Sequence, residues 1–155
     1  MTIDEIKKIF GEFRYIDLEN GLIQIETSWI RENIVYLSNV PILQKIRCHK
    51  KILKQLSHCL GEIEKDGLGN LIDTNDWLKK GGCFVARHIL WDKNKPLSTH
   101  CWGIALDINP STNIYGGKAS ENQERIASYF EKWGFEWGGR WKIKDPMHFQ
   151  IYELK

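Results

Sequence analysis

Residues 102–108, Trp-Gly-Ile-Ala-Leu-Asp-Ile, restrict the possible folds more than any other stretch of this chain. Read as a strand, they put Ile104, Leu106 and Ile108 on one face and Gly103, Ala105 and Asp107 on the other, because successive side chains alternate across a sheet. One face is bulky and apolar, as a buried sheet surface requires; the other is small and ends in a carboxylate. Asn109-Pro110 closes the segment, and residues 111–120 read as a polar loop. Further strands are expected at residues 22–26, after the turn pair Asn20-Gly21, at 34–37 and at 148–152. Helices are expected at residues 3–10 and from Ser120, a capping residue, through about Trp133. Pro41 reads as the first position of a long helix with apolar residues at Ile42, Ile46, Leu53, Leu56, Leu60 and Ile63, interrupted by His49. Residues 66–70 stop it with turn chemistry. Gly81-Gly82 marks a second break before the apolar run Cys83–Ala86, and residues 134–141 read as turn-rich. Short strands mixed with helices, without a repeat or a linker, predict one α+β domain over residues 1–155. In it a small antiparallel sheet is flanked by helices, with residues 1–40 packed as an extension on a core of residues 41–152.

The bulk properties exclude several function classes. At 155 residues, 42% of them apolar, the chain can bury a proper core. A formal net charge of +2 gives no reason to expect nucleic acid as a partner. No stretch approaches the roughly 20 apolar residues that span a bilayer. Residues 1–10 alternate Ile with charged side chains, unlike the apolar centre of a signal peptide, so synthesis in the cytoplasm without a secretion address is expected. Cys48, Cys59, Cys83 and Cys101 lack CxxC spacing and are expected to be reduced thiols. On one helix Cys48 and Cys59 would lie about 16 Å apart, too far to pair. A monomer is expected.

Three elements can bring metal ligands together. His100 precedes the strand at 102–108, Asp107 lies on its small face, and His148 opens the last strand. Two histidines and one carboxylate match a catalytic zinc site with a fourth position left open. Gly103 and Ala105 beside Asp107 would leave room for metal and substrate. Asp145, three residues before His148, could take a proton from an activated water. Taken singly, each has a structural alternative: a satisfied histidine near a strand end, a turn-starting Asp107, an Asp145-Pro146 turn dipeptide.

The combination is more specific. Ser98-Thr99-His100-Cys101-Trp102-Gly103-Ile104-Ala105-Leu106-Asp107 resembles the S-x-H-x-x-G-x-A-x-D signature of the D-alanyl-D-alanine metallopeptidases. This zinc family contains D,D-carboxypeptidases, D,D-dipeptidases and the L-alanyl-D-glutamate endopeptidases of bacteria and phages. Residues 134–141 followed by Asp145-Pro146-Met147-His148-Phe149-Gln150 resemble its second block, and Gly82–Arg87 resembles the segment bearing a substrate-binding arginine. The resemblance covers about residues 35–152.

It implies a hedgehog/D,D-peptidase-like α+β fold whose sheet carries Zn²⁺ on His100, Asp107 and His148. Asp145 would be the general base and later the acid to the leaving amine. Arg87 would bind substrate and stabilise the developing oxyanion; Ser98 would orient the loop or touch substrate. The implied partner is the stem peptide of peptidoglycan, cut between L-Ala and D-Glu. Removal of the terminal D-Ala is the alternative, and a non-cleaving zinc module a third reading. A phage-type lysin released through a holin and a cytoplasmic recycling enzyme both fit the absence of a signal peptide. Two residues depart from the family pattern: Cys101, where relatives often have Ala, and His88, which could add a substrate contact. His49 is expected to be a buried structural histidine and His58 a solvated one.

Overall fold

The computed structural model describes all residues, Met1–Lys155. The chain begins with helix α1 (Ile3–Phe10), whose Thr2–Glu5 capping box satisfies the first backbone donors. Strands β1 (Tyr15–Asp17) and β2 (Ile23–Ile25) pair antiparallel, and α2 (Thr27–Asn33) leads into β3 (Ile34–Val40). β3 pairs with β4 (Gln44–His49), followed by α3 (Leu53–Lys65) and α4 (Thr74–Lys80). Strand β5 (Ala105–Asp107), helix α5 (Glu121–Lys132), β6 (Phe135–Trp137) and β7 (His148–Ile151) complete the fold. It is α+β, with three small antiparallel sheets: β1-β2, β3-β4 and β5-β7-β6. No helix is long and apolar enough to cross a membrane.

The three-stranded sheet separates core from site. Asp107 pairs with His148, and both Ala105 and Glu136 pair with Gln150 across the two sides of β7. Side-chain alternation therefore gathers Asp107, His148, Gln150 and Glu136 on one face. Leu106, Phe149, Phe135, Trp137 and Ile151 are buried on the opposite face. There Phe149 stacks on Phe130 of α5, with ring centroids 4.4 Å apart. Ile6, Phe10, Phe13 and Trp29 from the first forty residues join the same apolar cluster as Leu56, Leu60 and Phe130.

Several expectations are corrected. Pro41 does not open a helix: residues 41–49 turn and return as β4, and α3 starts only at Leu53. Ile42 and Gln44 have φ of 64°, a left-handed conformation that no helix tolerates. The apolar spacing from Ile42 to Ile46 fits a helix, but Ile46 and Cys48 also alternate with exposed Lys45 and Arg47. The adjacent β3 makes that strand pattern the satisfied one, a pairing that local spacing does not report. Cys48 thus lies on a strand, so the helical distance to Cys59 does not apply; all four cysteines are free and buried.

The strand expected at 102–108 is shorter. Thr99–Trp102 is a 3-10 turn, closed by Gly103 at φ 64°, and only Ala105–Asp107 pairs with β7. Gly103 does not leave room for a metal. A Cβ there would lie 2.9 Å from the His49 backbone nitrogen, so the glycine permits close approach of the 99–103 turn to β4. Helices α2 and α4 and strand β6 were not expected from local pattern; each is short and anchored by a buried Trp (Trp29, Trp77, Trp137).

Candidate metal centre

The structure brings His100, Asp107 and His148 together, one ligand atom from each lying within 4.8 Å of the others. His100 sits on the 3-10 turn whose N-cap is Ser98; the Ser98 Oγ accepts from the His100 backbone N–H at 3.3 Å. Ser98 is itself buried. Asp107 and His148 come from paired positions of β5 and β7.

The ring nitrogens of both histidines have defined roles. Nδ1 of His100 lies 2.8 Å from the Cys83 carbonyl, which can only accept, so Nδ1 carries the proton. Its Nε2 is buried without a hydrogen-bond partner, 3.3 Å from Asp107 Oδ2. His148 has the reverse arrangement: Nε2 lies 3.0 Å from Gln150 Oε1, and Nδ1 faces Asp107 Oδ1 at 3.3 Å. Burial pushes the Asp107 carboxyl up, but the close approach of His100 and His148 outweighs it and holds the group well below the usual carboxylate range. Once His100 Nε2 and His148 Nδ1 give up their protons, a carboxylate between two imidazoles is a donor set suited to a divalent cation. A buried polar atom left unpaired is costly, and ligation of a cation by His100 Nε2 would satisfy it.

Asp145 is held by the 138–148 turn, its backbone N–H donating to Gly138 O at 3.0 Å. Its Oδ1 is buried and unpaired. Burial raises its pKa, and the Asp107 charge adds to this, against the opposing effects of His148, His100 and Arg87. A carboxylate whose proton affinity is raised is a better proton acceptor near neutral pH.

Asp107, Asp145, His148, Arg87 and Ser98 all line one cleft of about 820 Å³. The Arg87 guanidinium lies over the Trp91 ring, 5.0 Å from its centroid, and donates from Nη1 to His88 O at 3.3 Å. The Arg87 backbone is held by Cys101: the thiol donates to Arg87 O at 3.0 Å and accepts from Arg87 N–H at 3.3 Å. Burial pushes that thiol up to about 11, so it stays protonated beside Arg87. His88 does not face the cleft. Its Nε2 lies 2.8 Å from Asp17 Oδ1 and its Nδ1 2.6 Å from Lys95 O, two acceptors that raise its pKa, the Asp17 bond foremost. Its second ring contact thus ties the loop before Pro96 to β1, and no ring nitrogen is left for substrate.

His49 is buried and structural, and His58 is exposed, as expected. Sequence reasoning passed over Glu136 and the side-chain role of Gln150. A signal existed for Gln150, which shares the face of His148 two positions along β7. Glu136 could be found only from the β6–β7 register. Residues 91–151 match the family model described as D-alanyl-D-alanine carboxypeptidase, a span that includes His100, Asp107, Asp145 and His148 but not Arg87. No curated protein and no solved structure matches the chain.

Proposed function

The match over residues 91–151 supports membership of the D-alanyl-D-alanine metallopeptidase family, and from that premise we propose that the protein is a zinc peptidase of peptidoglycan stem peptides. The observation that carries this reading is the unpaired, buried Nε2 of His100 facing Asp107, with His148 Nδ1 on the carboxylate's other oxygen. His100, Asp107 and His148 would hold Zn²⁺. Bound there, zinc supplies Lewis-acid chemistry, polarising the scissile carbonyl and acidifying water.

Asp145 accepts the proton of the attacking water at its unpaired Oδ1 and later delivers it to the departing amide nitrogen. Arg87, fixed by Trp91 and by the Cys101 thiol, binds a substrate carbonyl or carboxylate and meets negative charge as it develops there. Ser98 holds the turn that presents His100.

Cleavage between L-Ala and D-Glu is the bond we favour, on the resemblance of the Trp-Gly-Gly-x-Trp and Lys-Asp-x-x-His-Phe-Gln segments to such endopeptidases. Removal of terminal D-Ala is the second reading, favoured by the description of the matched family. Digestion of purified peptidoglycan by the zinc-loaded protein, with mass spectrometry of the released termini, separates them. New N-terminal D-Glu supports the endopeptidase, and free D-Ala the carboxypeptidase. Zinc binding without cleavage of any stem peptide would overturn the enzymatic reading.

A further inference from the structure

The side chains beyond the ligands form a chain of hydrogen bonds with only one consistent polarity. Trp141 Nε1–H donates to Glu136 Oε1 at 2.9 Å, and Gln150 Nε2–H donates to Glu136 Oε2 at 3.0 Å. Gln150 Oε1 in turn faces His148 Nε2 at 3.0 Å and the Thr99 hydroxyl at 3.1 Å. An amide side chain can be turned either way, so its orientation follows from its neighbours. The Thr99 hydroxyl both donates and accepts and would serve either orientation. Glu136, as a carboxylate, offers acceptors only. It therefore draws the Gln150 NH₂ towards itself and leaves the Gln150 carbonyl for His148. That carbonyl accepts from His148 Nε2–H, while Asp107 Oδ1, an acceptor as well, lies 3.3 Å from Nδ1; a cation that takes the place of the Nδ1 proton leaves the ring's one proton on Nε2, towards Gln150.

We propose that Glu136 is a positioning residue for the metal centre: acting through Gln150, it fixes the tautomer of His148 so that Nδ1 is the ligand atom. The proposal rests on the zinc reading above, but it concerns a residue that never touches the metal. The cross-strand register makes it possible, because Glu136 and Gln150 are direct partners on β6 and β7. Ala105 is the partner of Gln150 on β5, and its methyl group offers no competing hydrogen bond.

The substitution Glu136→Gln gives a sharp test, because the indole of Trp141 only donates. It would hold the new amide oxygen, turning the new NH₂ towards Gln150. Gln150 would then rotate to accept it and present its own N–H to His148 Nε2. His148 Nε2–H would then face a donor, which disfavours the state in which Nδ1 is left to bind the metal. Zinc affinity, measured by competition with a chelator, is expected to fall roughly 10- to 100-fold, the usual effect of losing such a partner.

The double variant E136Q/Q150E restores the original polarity. The carboxylate at 150 accepts from both His148 Nε2–H and the amide at 136, so most of the zinc affinity is expected to return. If E136Q keeps its zinc affinity, the proposal is overturned. The same holds if the double variant does not recover the affinity. The readout does not use peptidase activity, so failure here is distinct from failure of the functional reading, which shows as wild-type protein that binds no zinc or cleaves no stem peptide.

Discussion

His49 is expected to make the stability of this protein fall as the pH drops from neutrality towards 4. The ring is fully buried at the junction of β4 and α3. Its Nδ1 accepts from the Lys51 backbone N–H at 3.1 Å, so Nε2 carries the proton and donates to Phe10 O at 3.1 Å. One neutral tautomer satisfies both contacts. Protonation of Nδ1 would break the first and place a cation in an apolar pocket beside the Phe10 ring, 5.1 Å away. Burial accordingly pulls the folded-state pKa from 6.5 down to about 4, with Lys51 and Lys50 contributing in the same direction and the Phe10 bond opposing. Above pH 6.5 the ring is neutral whether the chain is folded or not, and it imposes no pH dependence. Between 6.5 and 4 the unfolded chain takes up a proton that the folded one excludes, which favours unfolding. The slope is about 1.4 kcal/mol per pH unit, and the loss over the whole window about 3 kcal/mol. Urea unfolding of wild type and His49→Asn, both with chelator present, measures this. Asn keeps an acceptor near the Nδ1 position but does not titrate. Contributions from all other groups cancel between the two proteins, and the wild type is expected to lose the extra 3 kcal/mol, again about, by pH 4. Parallel stability curves for the two proteins from pH 7 to 4 would refute the reasoning.

Zinc at about 100 times its dissociation constant should add about 2.7 kcal/mol of stability, or roughly 5–10 °C in Tm, reversed by chelator and absent in His148→Ala; a scanning fluorimetry titration reads this directly. Asp145→Ala is expected to keep that zinc-dependent rise while stem-peptide hydrolysis falls about 10²- to 10⁴-fold, and near-native turnover would remove Asp145 from the role of base. Gly134→Ala should cost more than about 1 kcal/mol in urea unfolding, since Gly134 has φ 81° and a Cβ there would collide with the Glu153 carbonyl.

The residues proposed to carry chemistry were legible because their types and spacing are properties of the chain itself. His100, Asp107, Asp145 and His148 lie in two short blocks, and the structure lines the two blocks up as neighbours through the Asp107–His148 register. Helices α1 and α5 were legible for the same reason: the amphipathic pattern of residues 3–10 and the Ser120 cap are local signals. The β3–β4 hairpin was not. Its apolar spacing suits a helix as well as a strand, and the choice depends on a partner strand that local pattern does not see. The 99–103 turn was hidden in an alternating sequence, and only the close approach of Gly103 to the His49 backbone shows why it leaves the strand.

Composition and motif thus determined the α+β class and which side chains could bind a metal. Which nitrogen each histidine presents was decided by tertiary structure alone. The Cys83 carbonyl selects Nε2 of His100, and Gln150 leaves Nδ1 to His148. A tautomer is chosen by whatever faces the other side of the ring, and those partners come from a different loop and from a strand pairing that no local sequence window contains.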